Sequence, residues 1–493
     1  MNTALVIIFA TMLLALALGV LARRGRQMSL EEWTVGGRGF GTLFVFLLSA
    51  GEIYTTFTFL GGSGWAYGRG APTFYILAYG SLAYTLSYWL LPAIWRYATA
   101  ERLHTQPDFF ARKYASPLLG VLVALVGVVA LIPYMVLQLK GLGIIVGAAS
   151  GGAISDDAAI WIGVAVVTAY VVVSGVHGSA WTSVIKDIMI LLVVLFLGIY
   201  LPWHYYGGWQ PMFEAIDKAK PGFLTLPPRG QSIVWFDSTV LLTALGFYMW
   251  PHAIGAVFTA RSARVFRRNA FFMPLYQIIL GFVFLVGFAA ILQVPGLKGS
   301  EMDLSLLRIS IKTFDPWFIG VIGAAGVLTA LVPGSMILMT AATLFSNNIV
   351  RVLVPSMSDT AVAHLARAVV PVVALVAVYF TLNGGNTIVA LLLMGYAFVT
   401  QLLPAMLGSL MRRNPVTTPG AVAGIVVGVA AVAVLTLTKA TVHSLFPFLP
   451  GPLQDLNVGI VALVLNVVAL LVVSAATRGA VGVGGPQRLP ASK

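Results

Sequence analysis

The sequence predicts an all-α integral membrane protein with about thirteen transmembrane helices. Hydrophobic residues make up 59% of its 493 residues and charged residues only 9%, whereas about a quarter of the residues of an ordinary soluble domain are charged. The apolar residues form runs of about 20, the length that crosses a hydrocarbon core of about 30 Å. Because no hydrophilic stretch is long enough for a separate soluble domain, we expect residues 1–493 to form one transmembrane domain.

Thirteen apolar runs define the predicted spans. The first run lacks basic residues ahead of it and is followed by Arg23, Arg24 and Arg26, which favours a retained helix over a cleaved signal peptide. The longest hydrophilic stretch, residues 204–235, is predicted to be one loop. The spans lie near residues 3–21, 40–67, 72–95, 117–148, 158–176, 180–203, 236–258, 270–294, 316–345, 364–382, 387–410, 418–438 and 457–476.

The distribution of positive charge predicts the orientation. Cytoplasmic connections collect Lys and Arg, and with the N-terminus outside, 19 of the 29 bases fall in inside segments and 8 in outside segments. We therefore expect an outer N-terminus, a cytoplasmic C-terminus and a position in the plasma (inner) membrane. The net charge of +13 is divided among short clusters, so no nucleic-acid partner is expected. The sequence contains no cysteine, which excludes a thiolate nucleophile and a Cys-ligated zinc site.

Glycine and proline inside three spans predict interrupted helices, at Gly61–Gly64, Trp250–His252 and Pro333–Gly334. Freed backbone groups are tolerated in a bilayer where they line a cavity, and many transporters bind solute and ions between such breaks in two inverted repeats. The second and seventh spans lie five apart, which predicts two five-helix repeats. The repeats cover about 40–203 and 236–410, with peripheral helices near 3–21, 418–438 and 457–476.

Several motifs follow one another around the predicted spans. They are Phe59-Leu60-Gly61-Gly62-Ser63-Gly64, Thr105-Gln106-Pro107-Asp108-Phe109-Phe110, Arg112-Lys113-Tyr114, Ser174-Gly175-Val176-His177, Ala180-Trp181-Thr182-Ser183-Val184-Ile185, Trp250-Pro251-His252, Thr259-Ala260-Arg261-Ser262 and Thr343-Leu344-Phe345-Ser346-Asn347-Asn348. In residues and order these motifs resemble the sodium:solute symporter family, and the resemblance covers nearly the whole chain. This resemblance implies the LeuT-like five-plus-five fold. Gly51-Glu52-Ile53-Tyr54-Thr55-Thr56 and Lys186-Asp187 resemble the branch that takes up monocarboxylates.

The sequence departs from its family at the sodium site. The resemblance implies that sodium is held by main-chain oxygens near Gly51 and Tyr54 and by two hydroxyls, which this chain replaces with Val332 and Pro333. Sugar- and proline-carrying members have an aspartate where Ser183 stands here. A hard cation needs several oxygen ligands, so these replacements put the usual sodium site in doubt.

The resemblance and the intramembrane charges together predict the site residues. An ionisable residue within a span indicates function, although Lys186 and Lys140 could snorkel to an interface and Glu52 could bond freed backbone. The threonines could equally join helices, Trp250 could belong to the core, and Trp250-Pro251-His252 could form a structural turn. The predicted substrate contacts are Tyr54, Thr55, Thr58, Trp250, His252 and Lys140, and the predicted ion-coupling residues are Gly51, Glu52, Tyr54, Lys186 and Asp187.

The predicted function is secondary transport of a small organic solute with a cation. We expect a monocarboxylate such as lactate, pyruvate or acetate, with H⁺ slightly favoured over Na⁺ and no other cofactor. The alternatives are Na⁺-coupled transport of an amino acid, sugar or similar solute and, more distantly, a channel or membrane-embedded enzyme. The enzyme is disfavoured because the six His and 16 acidic residues show no metal-binding spacing. Only about 17 residues follow the last predicted span, so no signalling domain is expected.

Overall fold

The protein is a bundle of α-helices. The structure is a computed structural model that describes residues 2–24, 29–51 and 53–478. The described ranges contain helices, loops and one isolated β-bridge, in agreement with the predicted all-α class. The first nine α-helices are α1 (Thr3–Arg23), α2 (Leu30–Val35), α3 (Thr42–Gly51), α4 (Ser63–Arg69), α5 (Tyr75–Ala100), α6 (Gln106–Lys113), α7 (Pro117–Ala149), α8 (Asp156–Tyr206) and α9 (Trp209–Ala219).

The second part of the chain continues the bundle and ends with two peripheral helices, α20 and α22, that pack on each other. Its helices are α10 (Ile233–Gly246), α11 (Pro251–Phe258), α12 (Arg264–Ile278), α13 (Gly281–Gln293), α14 (Ser305–Thr313), α15 (Pro316–Thr343), α16 (Arg351–Leu353), α17 (Asp359–Asn383), α18 (Ile388–Val399), α19 (Leu403–Leu410), α20 (Thr418–Leu437), α21 (Val442–Leu445) and α22 (Val458–Thr477).

Hydroxyl caps fix where several long helices begin. Ser116, Ser155, Ser358, Thr387 and Thr417 directly precede α7, α8, α17, α18 and α20, and each side chain accepts a hydrogen bond from an N–H of the first turn. A helix leaves its first four N–H groups unpaired, and a Ser or Thr cap satisfies one of them. The loops thus end where the sequence supplies these residues.

Helices lie at all thirteen predicted positions. Within the described ranges, ten are individually long and apolar enough to cross a membrane, and α10 and α11 form an eleventh, bent by 50°. The two remaining positions hold the interrupted pair α3 and α4 and the 26-residue α5. The predicted 204–235 loop is partly wrong, because α9 lies inside it; α9 buries Met212 and Ile216 against the bundle.

Two of the three predicted breaks are wrong in position or existence. Helix α15 runs through Pro333–Gly334 without interruption. Proline inside a span is tolerated where it is buried in protein, and nearly all of α15 is buried. The first break follows Gly51, about ten residues before Gly61–Gly64, and its described residues are Ile53–Thr56. A π-helical segment, Phe57–Gly62, then leads directly into α4.

The glycines of the Gly61–Gly64 motif permit close packing instead of unwinding. A Cβ at Gly61 would lie 2.9 Å from Ile388 Cγ2, and one at Gly64 would lie 2.8 Å from the Met302 carbonyl oxygen. Both distances are too short for any side chain. The half of the first broken helix that follows the break therefore packs directly against the start of α18 and against the segment Gly299–Leu304, which links α13 to α14.

Helix α15 forms the centre of the bundle. Nearly all of it is buried, and it packs against α1, α7, α8 and α17. Helix α8 contains two predicted spans that meet at Gly175, where the backbone leaves the helical conformation with a φ of 56° that favours glycine. A side chain at Gly175 would also collide with Trp33, so this glycine lets the α8 turn contact α2.

Main-chain hydrogen bonds join the start of the first broken helix to the end of the second. Phe40, just before α3, donates its N–H to the Thr259 carbonyl at 3.0 Å and accepts the Arg261 N–H at 2.9 Å. Trp95 Nε1 adds a hydrogen bond to the Ala260 carbonyl at 2.8 Å. This β-bridge, Phe40 with Ala260, attaches α3 to the end of α11.

Candidate functional site

The first break is stabilised by two of the predicted substrate-binding threonines. Thr58 Oγ1 donates to the Ile53 carbonyl at 2.5 Å and accepts the Thr55 N–H at 3.1 Å. Thr55 Oγ1 accepts the Phe57 N–H at 3.2 Å. Both hydroxyls thus replace helical hydrogen bonds where the backbone unwinds, and this supports the alternative in which they have a structural role.

A lysine ammonium lies against the same break. Lys186 Nζ on α8 is completely buried, donates to the Tyr54 carbonyl at 3.3 Å and lies 2.8 Å from Asp187 Oδ1. A Cβ at Gly51 would lie 3.8 Å from Nζ and 4.0 Å from Val332 Cγ1. The structure therefore brings together four predicted positions, Gly51, Tyr54, Lys186 and Val332, and it excludes the alternative in which Lys186 snorkels to an interface.

The Tyr54 side chain joins the first break to α12. Glu52 lies outside the described residues. The Tyr54 side chain is fully buried, meets the Tyr276 ring edge-on at a centroid distance of 5.0 Å and donates its hydroxyl to the Tyr276 carbonyl at 3.4 Å. Tyr54 thus faces α8 with its carbonyl and α12 with its hydroxyl.

The second break lies where the sequence predicts it. Helix α10 tightens to a 3₁₀ turn at Phe247–Met249, Trp250 is extended, and Pro251 begins α11. The freed Met249 carbonyl accepts a hydrogen bond from Gln106 Nε2 at 3.0 Å. The Tyr134 ring of α7 contacts the rings of Trp250 and His252, at centroid distances of 4.9 and 5.2 Å.

One face of α7 spans the distance between the breaks. Tyr134 packs on the second break, and a side chain at Gly141 would collide with Thr56 of the first break. Gln138 lies between them on the same face, because residues three and four apart align on a helix. Gln138 is fully buried, and neither atom of its amide has a hydrogen-bond partner among the described residues.

Two further buried polar groups at the breaks share this property. Thr56 Oγ1 and Trp250 Nε1 have no hydrogen-bond partner within the described ranges. Buried polar groups are nearly always paired, so unpaired ones need an explanation, and a bound solute would supply it. Sequence reasoning missed Thr56 and Gln138; the 134, 138, 141 spacing was visible, but the sequence does not show which way this face points.

Lys140, another predicted substrate contact, is in a second ion pair. Its Nζ lies 3.1 Å from Asp303 Oδ2 and donates to the Asn386 carbonyl at 2.7 Å. Asp303 Oδ2 also accepts the Ile388 N–H at 3.0 Å. Burial raises the pKa of the Asp303 carboxyl above its ordinary value, and the Lys140 ammonium opposes this shift.

Both breaks are buried in the bundle. The described residues of the first break, Ile53–Thr56, and those of the second, Phe247–Ile254, are all buried. A cavity of about 20 Å³ beside Pro251 and Gly255 extends towards Thr34, His104 and Thr105. It has room for about one water molecule and is too small for an organic solute.

The fold and motifs agree with one family model, which matches residues 33–428. The chain belongs to the sodium:solute symporter family. The symporter is thus a multi-pass membrane protein that moves a small solute with a cation, and it is not an enzyme. It is 65% identical to the uncharacterized symporter YhjB of Bacillus subtilis (strain 168), over 97% of this chain and 98% of that protein.

The symporter also resembles a second relative in sequence and a solved structure in fold. It is 29% identical to the monocarboxylate transport permease protein of Rhizobium johnstonii, over 96% of this chain and 97% of that one. The structure of a substrate-bound, outward-open Na⁺-coupled sialic acid symporter superposes with a TM-score of 0.76 at 16% identity, covering 96% of this chain and 98% of the other. The symporter therefore has the predicted LeuT-like fold; the limits of its two repeats stay a prediction.

Removing the Thr58 hydroxyl is expected to destabilise the symporter. Thr58→Ala leaves the Ile53 carbonyl and the Thr55 N–H unpaired in a buried site, a loss of about 1–2 kcal/mol. A loss of the same size in the free energy of solute binding would raise the half-saturation concentration about tenfold. Thermal unfolding in detergent and uptake kinetics test both effects.

The Thr58 prediction has two controls. Thr58→Ser keeps the hydroxyl and should behave like the parent. Thr85→Ala removes a helical hydroxyl with a similar bond, to the Ser81 carbonyl, on an exposed part of α5, and should change neither quantity. Parental stability and uptake in Thr58→Ala would show that the break does not depend on this hydroxyl.

Proposed function

We propose that the protein is a proton-coupled symporter that imports small monocarboxylates such as lactate, pyruvate or acetate across the plasma membrane. One observation carries the proposal: the Lys186 ammonium lies against Gly51 and Tyr54, where the family resemblance locates sodium. Except for H⁺ as the coupling ion, the proposal requires no cofactor. The monocarboxylate permease relative supports the solute class.

The surroundings of Lys186 disfavour sodium at this position. Val332 presents a methyl group to the break in place of a hydroxyl oxygen, and the neighbouring Pro333 has no side-chain oxygen either. A sodium ion about 4 Å from an ammonium would be repelled by about 4 kcal/mol at an effective dielectric constant of 20. A protonated lysine can instead hold together by itself the groups that sodium joins elsewhere.

The proposed coupling step is the protonation of Lys186. When charged, its ammonium joins the Tyr54 carbonyl to Asp187 and so holds the first break against α8. When neutral, it loses the attraction of Asp187, and the break can separate from α8. The proposed switch is therefore a change in the distance between Lys186 and Asp187.

The solute is proposed to bind between the breaks, on the α7 face that carries Gln138. A carboxylate only accepts hydrogen bonds, and the unpartnered groups of Gln138, Thr56 and Trp250 all include donors. The half-helix that begins at the second break adds the positive end of a helix dipole. Tyr54, Thr55, Thr58 and His252 remain predicted contacts or supports of the same site.

Reconstituted protein tests the function. Proteoliposomes with separately imposed pH and sodium gradients should accumulate labelled lactate, pyruvate or acetate when the outside is acidic, with or without sodium. Sugars and proline should not compete. Uptake that needs sodium and ignores the pH gradient would instead support the Na⁺-coupled alternative and make Glu52 the residue to test.

The orientation makes a separate prediction. Reporter domains fused to the two ends should show the N-terminus outside and the C-terminus in the cytoplasm, because an odd number of spans separates them and most bases lie in the inside segments. Each end is fused in turn to a reporter active only in the cytoplasm and to one active only outside, so that only one of the two should be active at each end. Both ends on the same side would contradict the thirteen spans.

A further inference from the structure

The Lys140 ion pair lies on the side of the protein predicted to be extracellular, where three elements meet. Lys140 belongs to α7, Asp303 to the segment Gly299–Leu304, and Ile388 is the first residue of α18. The Asp303 side chain is completely buried, and its Oδ2 accepts hydrogen bonds from both the Lys140 ammonium and the Ile388 N–H.

These contacts form a binding site for a carboxylate. An ammonium and a helix N-terminus both stabilise such an anion, and here both act on one oxygen. Asp303 Oδ1 has no hydrogen-bond partner among the described residues. The occupant is supplied by the protein itself, from the segment Gly299–Leu304.

The same segment closes the outer half of the first broken helix. Met302 packs against Gly64 and Gly68 of α4, where a side chain on either glycine would collide with it. Lys140 lies two residues beyond Gln138 along α7, about 3 Å nearer the end of the helix that is predicted to be extracellular. A solute that enters from outside past Gly299–Leu304 would meet the Lys140 ammonium.

We propose that Lys140 and the N-terminus of α18 form an outer carboxylate site, which Asp303 occupies in the closed conformation and the solute carboxylate occupies when Gly299–Leu304 moves away. The identity of the solute rests on the proposed function, whereas the exchange of carboxylates rests on the Lys140 contacts. An incoming anion thereby competes with the group that keeps the outer side closed.

A cysteine reporter tests this exchange. The chain has no cysteine, and Ser305, two residues after Asp303, is fully buried, so Ser305→Cys is a small change that reports the opening of the segment. A membrane-impermeant maleimide applied to intact cells should label it slowly. Acetate should accelerate labelling severalfold, and acetamide, which has the same shape without the charge, should not.

Two substitutions in the reporter background separate the partners. Asp303→Asn and Lys140→Gln should each raise labelling without acetate by about tenfold or more, because each breaks a buried ion pair. Lys140→Gln should also lose the response to acetate and raise the half-saturation concentration for uptake. The exposed neighbours supply matched controls, Glu301→Gln and Lys312→Gln, which should behave like the reporter parent.

A charge reversal keeps the test decisive if the single variants fold poorly. Lys140→Asp combined with Asp303→Lys should restore slow labelling without restoring the response to acetate. An acetate response that survives in Lys140→Gln or in the reversed pair would overturn the inference. A parent that transports none of the three acids but still shows acetate-dependent labelling would refute the proposed function alone; transport with labelling insensitive to acetate would refute this inference alone.

Discussion

Replacing Lys186 by alanine is expected to abolish solute accumulation driven by an acid-outside gradient. The change removes the ammonium that joins the Tyr54 carbonyl to Asp187 and leaves a buried carboxylate without its partner, a loss of about 3–5 kcal/mol. Exchange of solute across the membrane without a gradient should partly survive, because it needs no net proton movement. Counterflow and gradient-driven uptake in the same proteoliposomes measure the two activities.

Lys186→Arg distinguishes a coupling role from a structural one. Arginine keeps the positive charge and can still pair with Asp187, but it does not lose its proton in a protein. If Lys186 only holds helices together, Lys186→Arg should recover part of the accumulation lost in Lys186→Ala. Under the proton-coupling proposal, Lys186→Arg should fold as stably as the parent and remain unable to accumulate solute. Sodium-dependent uptake by either variant would contradict the proposal.

Replacing Gln138 by leucine is expected to weaken solute binding. Leucine has nearly the same volume and cannot donate to a carboxylate, and the loss of a hydrogen bond to a charged group costs about 1.5–3 kcal/mol. The half-saturation concentration should therefore rise about 10- to 100-fold. Because the Gln138 amide has no partner among the described residues, stability should be unchanged or slightly higher, which separates a binding role from a structural one.

Gln401 provides the matched control for Gln138. It is also a fully buried glutamine, but it lies at the end of α18, where its side-chain and main-chain oxygens accept from Asn466 Nδ2 of α22. Gln401→Leu should lower stability by loosening the peripheral helices and leave the half-saturation concentration unaltered. Equal effects of the two substitutions on solute affinity would remove Gln138 from the site.

Hydrophobicity and charge were enough to predict the fold of this symporter. Spans follow from apolar length, and helix starts follow from residues such as Ser116 and Thr387. The breaks were harder, because glycine permits both unwinding and close packing. At Gly61 and Gly64 the packing partners, Ile388 and Met302, are more than 200 residues away, and the sequence contains no sign of them.

The site was predicted only where chemistry decided it. A charged residue such as Lys186 stands out in any span, and the structure brings it to the first break as the family resemblance implied. Gln138 and Asp303 did not stand out, because a polar residue is significant only through what surrounds it. The partner of Lys140 illustrates this: Asp303 was simply a loop residue until the fold placed its carboxylate beside the ammonium.

The β-bridge between Phe40 and Ala260 bears on how tightly the symporter could couple proton movement to solute movement. The half-helix that leads to the proposed proton site and the half-helix that follows the second break are joined by main-chain hydrogen bonds. Of all substitutions at these positions, only proline would remove a donor. One swing of this joined pair would uncover both sites to the cytoplasm together. A proton could then hardly cross the membrane without the solute. The ratio of protons to solute molecules would be fixed by this mechanical linkage as well as by affinity.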